Sequence, residues 1–163
     1  MRVLYVARSR KPQDERDLGV EWAPDLPSLL RESDFVSVHV PLSAETRHLI
    51  GKAELQQMKP GAILINTSRG PTVDPRALYE AIAGGGIGGA ALDVTEPEPI
   101  PLDDPLLSLP NVVVTPHIAS ASFATMRNMG LLAARNIVAT LTKQPMPSCV
   151  NPEALEVRRR RAR

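Results

Sequence analysis

Six short extended segments divide this chain, and polar, glycine-rich or helical stretches separate them. The segments are Arg2–Ala7, a weaker one at Val20–Trp22, Asp34–Val40, Ala62–Asn66, Gly88–Val94 and Val112–Val114. Most are near-continuous apolar runs, which are typical of strands buried on both faces. Strands that alternate with helices at short intervals favour a parallel sheet. The sequence therefore predicts an α/β fold with a doubly wound parallel sheet.

Helix signals occupy four stretches between and after these segments. Asp25 and Asp74–Pro75 are good helix starts, because an aspartate can cap the first turn and proline suits its first position. A short helix is expected over Gly51–Met58. One long amphipathic helix is expected from about Ala121 to Leu141, where apolar residues recur at helical spacing. Residues 8–12 are expected to form a basic loop.

Composition excludes several classes of function. Without the five arginines of residues 158–163, the chain has 14 basic against 18 acidic residues, so a general nucleic-acid partner is disfavoured. Aromatic residues make up only 3%, which disfavours a base-stacking surface. No apolar run approaches the ~20 residues of a membrane span, so no membrane partner is expected. The single cysteine, Cys149, fits a reducing compartment, and we expect a cytoplasmic protein.

Polar residues that could take part in a reaction follow the predicted strands directly. They are Arg8, His39, Arg69, Asp93, Glu96, Glu98 and His117. Ligands of doubly wound sheets bind beyond the carboxyl ends of the strands, where these side chains should gather. An arginine can bind a carboxylate through two hydrogen bonds, and a histidine beside a carboxylate can exchange a proton near neutral pH. This combination suits chemistry on a small anionic carbonyl compound.

Three motifs, in this order and spacing, resemble the D-2-hydroxyacid dehydrogenases. They are Asn66-Thr67-Ser68-Arg69-Gly70, Ala91-Leu92-Asp93-Val94-Thr95-Glu96-Pro97-Glu98-Pro99 and Thr115-Pro116-His117-Ile118-Ala119-Ser120-Ala121. The segments Arg8–Pro12 and Pro145–Pro147 look most like the glyoxylate/hydroxypyruvate reductase branch. The resemblance runs from Arg2 to about Pro147 and implies a Rossmann-like fold.

The resemblance implies an oxidoreductase that transfers a hydride from NAD(P)H to glyoxylate or hydroxypyruvate, giving a D-2-hydroxy acid. Arg69 matches the arginine that grips the substrate, and His117 matches the acid that protonates its carbonyl oxygen. Glu98, rather than Glu96, matches the carboxylate that orients this histidine and keeps it protonated. Asp93 resembles the residue that receives the nicotinamide carboxamide.

The same resemblance implies a cofactor site at the strand ends, with NADP preferred over NAD. Arg8, Ser9 and Arg10 stand where NAD-dependent relatives carry an acidic residue for the ribose hydroxyls, and two cations there suit a 2′-phosphate. Further residues that match cofactor-lining positions are Val40, Pro41, Thr67, Ser68 and Ser120. The other two histidines, His39 and His48, are assigned packing and loop-fixing roles. No metal site is expected, because the three histidines and Cys149 lack ligand-like spacing.

The glycine-rich turn of a dinucleotide site is missing from the sequence. No G-x-G-x-x-G occurs, and Gly84–Gly89 follows a helix and precedes a strand, which reverses the required context. We therefore expect an incomplete sheet whose first strand and glycine-rich loop are absent. Residues 1–145 would be a partial NAD(P)-binding domain and residues 146–163 an irregular basic tail. The chain would be the second portion of a longer enzyme, which would be a homodimer at full length. Alternatively, it would be a shortened isoform with impaired activity.

Two readings from other classes remain open. The intact set Arg69, Glu98 and His117 favours an enzyme, whereas the missing glycine-rich turn favours a non-catalytic dinucleotide-binding or dimerising module. A relative that regulates transcription through dinucleotide binding is the weaker third alternative.

Overall fold

A computed structural model describes residues 1–153 of the chain. Its strands are β1 (Leu4–Tyr5), β2 (Glu21–Trp22), β3 (Phe35–Val38), β4 (Ile63–Asn66), β5 (Gly89–Leu92) and β6 (Val112–Val114). Its helices are α1 (Pro12–Leu18), α2 (Leu26–Glu32), α3 (Lys52–Leu55), α4 (Pro75–Ala83) and α5 (Phe123–Leu141). Short 3₁₀ helices cover Gly70–Thr72 and Pro105–Ser108.

Every strand pairing is parallel, as the alternation of strands and helices predicts. The four-stranded sheet has the order β3-β4-β5-β6, with Val36 opposite Leu64 and Ala90 opposite Val112. All four strands therefore end at the same edge of the sheet. The α/β class and the parallel sheet are confirmed.

The core lies between this sheet and the helices that connect its strands. Leu64 of β4 and Leu30 of α2 are fully buried, and Leu55 and Leu78 bring α3 and α4 into the same cluster. Burying one such side chain contributes about 1.5–3 kcal/mol. The sheet beneath the strand ends is thus a well-packed support.

The predicted helix starts are confirmed at two aspartates. Asp25 accepts a hydrogen bond from the backbone N–H of Ser28 at 2.7 Å, and Asp74 accepts from Arg76 and Ala77 at 3.0 Å each. Both carboxylates satisfy N–H groups that the first turn leaves unpaired.

One helix was absent from the sequence prediction, which treated residues 8–12 as a loop and assigned no element to the residues after them. Helix α1 begins at Pro12 and ends before Gly19, whose φ of 65° is the left-handed conformation that glycine adopts most readily. None of its side chains is buried. Its sequence therefore lacks the apolar periodicity that predicts a helix. Proline at its start and glycine past its end were the available signals.

Several predicted strands are shorter in the structure. The first covers Leu4–Tyr5 instead of Arg2–Ala7, and the third covers Phe35–Val38 instead of Asp34–Val40. A strand extends only as far as its backbone pairs with a neighbouring strand. Within residues 1–153, β1 pairs only with β2, which has two residues. The predicted helix over Gly51–Met58 also contracts, to Lys52–Leu55, with turns after it.

The sheet is interrupted, as expected. Strands β1 and β2 form a separate two-stranded sheet, and within residues 1–153 no ladder joins either of them to the four-stranded sheet. One edge of β3 is therefore unpaired, and its Phe35 side chain is 62% exposed.

The chain divides into two compact units, Met1–Ala119 and a second that begins at Ser120. The second contains α5, where Ser122 accepts from the backbone N–H of Thr125 and caps the helix. The predicted long helix is thus confirmed. Large apolar side chains along it, including Phe123, Ile137 and Leu141, are exposed. The terminal arginines, predicted to be an irregular tail, lie outside the described residues.

No helix within residues 1–153 is both long enough and apolar enough to cross a membrane.

The open edge of β3 predicts self-association of the isolated chain. An unpaired strand edge is a template for pairing with a second copy, and a lysine on it opposes such pairing. Phe35→Lys should therefore shift the chain toward monomer in sedimentation velocity across a concentration series. Leu18→Lys, on α1 and 72% exposed, is the matched control and should change little. A chain that is monomeric at every concentration would contradict this prediction.

Candidate active site

The loops that follow β4, β5 and β6 carry the three catalytic candidates. Arg69 follows β4, Glu98 follows β5, and His117 follows β6. Because these strands are parallel neighbours, the three loops leave the sheet at one edge. This is the edge at which doubly wound sheets bind ligands.

Asn66, the last residue of β4, shapes the Arg69 loop. Its side chain is buried, and its amide nitrogen donates to the carbonyl oxygen of Arg69 at 3.0 Å. Its amide oxygen accepts from the backbone N–H and the hydroxyl of Ser68. Thr72 also donates to the carbonyl of Arg69, at 2.7 Å. The loop backbone is thus fixed, while the Arg69 side chain remains exposed.

Gly70 lets the Arg69 loop touch the segment that carries Glu98. A Cβ atom on Gly70 would lie only 1.8 Å from the carbonyl oxygen of Thr95. No other residue fits there without displacing one of the two backbones. The Arg69 and Glu98 segments therefore meet backbone to backbone.

The buried carboxylate of Asp93 organises the loop that carries His117. One oxygen accepts from the Thr115 hydroxyl at 2.5 Å and the Ile118 N–H at 2.8 Å, and the other accepts from the Ala119 N–H at 2.8 Å. The Thr115 hydrogen bond is the largest cause that lowers the pKa of Asp93, and burial opposes it. Asp93 is therefore charged at neutral pH and anchors this loop. Its assignment to the nicotinamide carboxamide remains a prediction.

His117 pairs with Glu98. Its Nδ1 lies 2.6 Å from Oε1 of Glu98, and the two side chains are 50% and 41% exposed. A carboxylate only accepts hydrogen bonds, so Nδ1 carries a proton and Nε2 is left to face a ligand. His117 has a φ of 54°, and its N–H donates to the carbonyl of Asp93. A left-handed backbone at a non-glycine residue is uncommon and is often found at functional sites.

The competing glutamate, Glu96, pairs with a different histidine. Its Oε2 lies 2.9 Å from Nε2 of His48, and its Oε1 lies 2.5 Å from Nη2 of Arg47. His48 thus fixes a loop, as expected. His39 contacts the Ser37 hydroxyl at 2.8 Å. The sequence alone did not predict that Glu96 pairs with His48, because the two residues lie 48 positions apart.

The basic turn after β1 is partly neutralised by a residue that sequence reasoning overlooked. Glu15, on α1, accepts from Nε and Nη2 of Arg10 at 2.8 Å each and from the Tyr5 hydroxyl at 2.8 Å. The Arg10 and Tyr5 hydrogen bonds lower the pKa of Glu15 to about 2. Arg10 is thus already paired, whereas Arg8 and Ser9 are exposed and Arg8 makes no ion pair within residues 1–153.

The remaining cofactor candidates are spread along the strand ends. Val40 is half-buried and Pro41 is exposed just after β3. Thr67 is exposed, whereas Ser68 is held by Asn66. Ser120 begins the second unit. In the loop after β3, the hydrogen bond from the Ser43 hydroxyl is the largest cause that lowers the pKa of Glu45, and the charge of Arg8 lowers it further. No glycine-rich turn leads from a strand into a helix within residues 1–153.

Asp93→Asn should destabilise the chain at neutral pH, because an amide oxygen cannot replace both carboxylate oxygens. A lowered pKa stabilises the folded state above the ordinary aspartate pKa of ~3.9 and loses that effect as pH falls through the lowered value. The difference in free energy of unfolding between wild type and variant should therefore be constant near pH 7 and shrink as the pH falls from ~3.9 through the lowered pKa. Chemical denaturation across pH measures it, with Asp34→Asn, 76% exposed, as control. A difference that is unchanged at low pH would contradict the assignment.

Comparison with known proteins gives the chain its family. The model of the D-isomer specific 2-hydroxyacid dehydrogenase NAD binding domain matches residues 1–119. A glyoxylate reductase of Korarchaeum cryptofilum is 53% identical over 158 residues, which cover 97% of this chain and 47% of that protein. A glyoxylate/hydroxypyruvate reductase B of Pectobacterium carotovorum is 48% identical, with 96% and 48% covered.

A solved structure of similar fold is the TT0316 protein of Thermus thermophilus. It has a TM-score of 0.84 and 47% identity, and the match covers 92% of this chain and 46% of that one. The chain thus spans about half the length of the proteins it matches. Its fold and sequence make it a member of the D-isomer specific 2-hydroxyacid dehydrogenase family.

Proposed function

We propose that this chain supplies the acid–base and substrate-gripping residues of an enzyme that reduces a small 2-keto acid to a D-2-hydroxy acid with NAD(P)H. The hydrogen bond between His117 and Glu98 is the observation that carries the proposal. Glyoxylate and hydroxypyruvate are the substrates we propose, in line with the names of the relatives.

His117 acts as the proton donor in this proposal. A nicotinamide bound at the strand ends would supply the hydride that reduces C2 of the keto acid. Nε2 of the imidazolium donates its proton to the carbonyl oxygen, so the carbonyl becomes a hydroxyl and the ring becomes neutral. Glu98 accepts the hydrogen bond from Nδ1–H and thereby leaves Nε2 to face the substrate.

Arg69 binds and orients the substrate. Its guanidinium is always charged and can hold a carboxylate through two parallel hydrogen bonds. Its backbone is fixed by Asn66 and Thr72, so little freedom of the loop is lost when the keto acid binds. The exposed side chain can thus face the substrate.

The residues present fit the end of a nicotinamide dinucleotide that carries the 2′-phosphate. Arg8 and Ser9 are exposed after β1 and offer a cation and a hydroxyl to a 2′-phosphate. The pyrophosphate needs backbone N–H groups of a glycine-rich turn, which residues 1–153 do not provide. We therefore expect weak cofactor binding and little turnover by the 163-residue chain alone.

Two further properties belong to the proposal. A cytoplasmic location is supported by a single cysteine, Cys149, which suits a reducing compartment. We also propose that the enzyme is a homodimer, as the family resemblance implies.

The activity should depend on His117 and Glu98. A hybrid in which residues 1–163 replace the matched half of the Korarchaeum relative should reduce glyoxylate or hydroxypyruvate in a steady-state assay. His117→Ala should lower kcat by ~10²–10⁴, the usual contribution of a general acid. The Kd of the reduced cofactor should barely change, because the proton donor does not hold the dinucleotide.

His39→Ala is the matched control, because among the described side chains His39 hydrogen-bonds only to Ser37. It should leave kcat within a few fold. A hybrid that binds cofactor but reduces neither keto acid would favour a non-catalytic binding module. A kcat that survives His117→Ala would refute the assignment of the proton donor.

The cofactor preference should favour NADPH over NADH by tenfold or more. Hydrogen bonds to a charged group contribute about 1.5–3 kcal/mol each. Arg8→Ala should reduce the preference more than Arg10→Ala, because Glu15 already neutralises Arg10. The ratio of kcat/KM for the two cofactors in the hybrid measures this. Equal values in the unmutated hybrid would contradict the proposal.

A further inference from the structure

The segment Thr95–Pro99 carries two glutamates, and each one binds a different histidine. Glu98 lies 2.6 Å from Nδ1 of His117, and Glu96 lies 2.9 Å from Nε2 of His48. Only Pro97 separates the two glutamates, and the proline rings at 97 and 99 restrict φ on both sides of Glu98. The placement of Glu96 therefore limits where the Glu98 carboxylate can lie.

Glu96 is the more firmly held of the two. Its side chain is 24% exposed, against 41% for Glu98. Both of its carboxylate oxygens are occupied, one by Arg47 and one by His48. Although burial raises it, the hydrogen bonds from His48 and Arg47 hold the pKa of Glu96 below its usual range, so this carboxylate is charged at neutral pH.

His48 is itself anchored to the loop that carries Arg69. Its backbone N–H donates to the carbonyl of Pro71 at 2.8 Å, and its Nδ1 lies 3.8 Å from Oδ2 of Asp74. Ile50 bridges to Val73 in parallel and donates to the carbonyl of Thr72. The ring of His48 thus stands between the segments of Arg69 and Glu98.

The backbone of His48 shows that this arrangement is imposed by its surroundings. Its φ of 50° is in the left-handed region, which a non-glycine residue keeps only when neighbouring contacts enforce it. The neighbouring charges that face the ring are Glu96, Asp74 and, through Glu96, Arg47. The ring therefore has an acidic group on each side.

We infer that His48 and Glu96 are positioning residues that hold Glu98 against Nδ1 of His117. The catalytic part of this inference rests on the proposed function, whereas the contact of Glu98 with His117 does not. Glu96 fixes the segment, and its partner His48 fixes that segment relative to the loop of Arg69. Without this pair, Glu98 samples other orientations and His117 loses the acceptor that fixes its tautomer.

The test is the tautomer of His117 in the 163-residue chain. A long-range ¹H–¹⁵N spectrum of the imidazole rings at about pH 8.5, where an ordinary histidine is neutral, distinguishes a proton on Nδ1 from one on Nε2. The chain has three histidines, so each ring can be assigned by substitution. Unmutated His117 should carry its proton on Nδ1.

His48→Asn and Glu96→Gln should each shift His117 toward a mixture that includes the Nε2 tautomer. Asparagine tolerates a left-handed backbone but is too short to reach Glu96, so this variant removes the contact and spares the fold. Asp34→Asn, which breaks the exposed ion pair with Lys59 at 2.8 Å, is the control and should leave the tautomer unchanged. Glu98→Ala, which removes the acceptor altogether, should give the full effect.

A folded His48→Asn or Glu96→Gln chain in which His117 keeps its proton on Nδ1 would overturn the inference. If both variants unfold, Arg47→Gln removes only one of the two contacts of Glu96 and should give an intermediate shift; an unchanged tautomer there would overturn it too. In the active hybrid, His48→Asn should lower kcat about tenfold with an unchanged cofactor Kd. A hybrid without activity would refute the proposed function, while the tautomer would still decide the role of His48.

Discussion

The carboxylate of Asp93 is the interaction on which the candidate site depends. It follows β5 directly and receives three hydrogen bonds from the loop after β6, two of them from backbone N–H groups. A buried carboxylate requires such partners, and a loop with unpaired N–H groups requires such an acceptor. Each therefore stabilises the other, and His117 lies within the loop that they define. The other residues of the site lie around this contact.

Much of this arrangement could be predicted from the sequence. The strands appear as apolar runs because they are buried, and Asp25 and Asp74 mark helix starts because a cap is a local interaction. The pairing of His117 with Glu98 followed from family-matched spacing, and the structure places the two side chains in contact. Signals that are local, or that a family repeats, are readable in one sequence.

The contacts that escaped prediction are those set by tertiary structure. Glu15 neutralises Arg10 from a helix with no apolar pattern, and Glu96 selects His48 across 48 positions of sequence. The hydrogen bonds that the Asp93 carboxylate accepts from the loop of His117 were likewise not predicted. Polar side chains at strand ends are numerous, and only the folded chain decides which of them bind each other. The strand ends indicated where these side chains would gather, but they could not give the partner of each one.

The contact between Gly70 and Thr95 has a consequence for substrate size. The loop of Arg69 and the segment of Glu98 are spaced by main-chain atoms in contact, because position 70 has no side chain. A spacing of this kind does not widen or narrow when nearby side chains are exchanged. The spacing of these two segments is therefore a property of the backbone. For the keto acids proposed as substrates, discrimination between short and long ones would then come from other residues, while the spacing of these two segments stays constant.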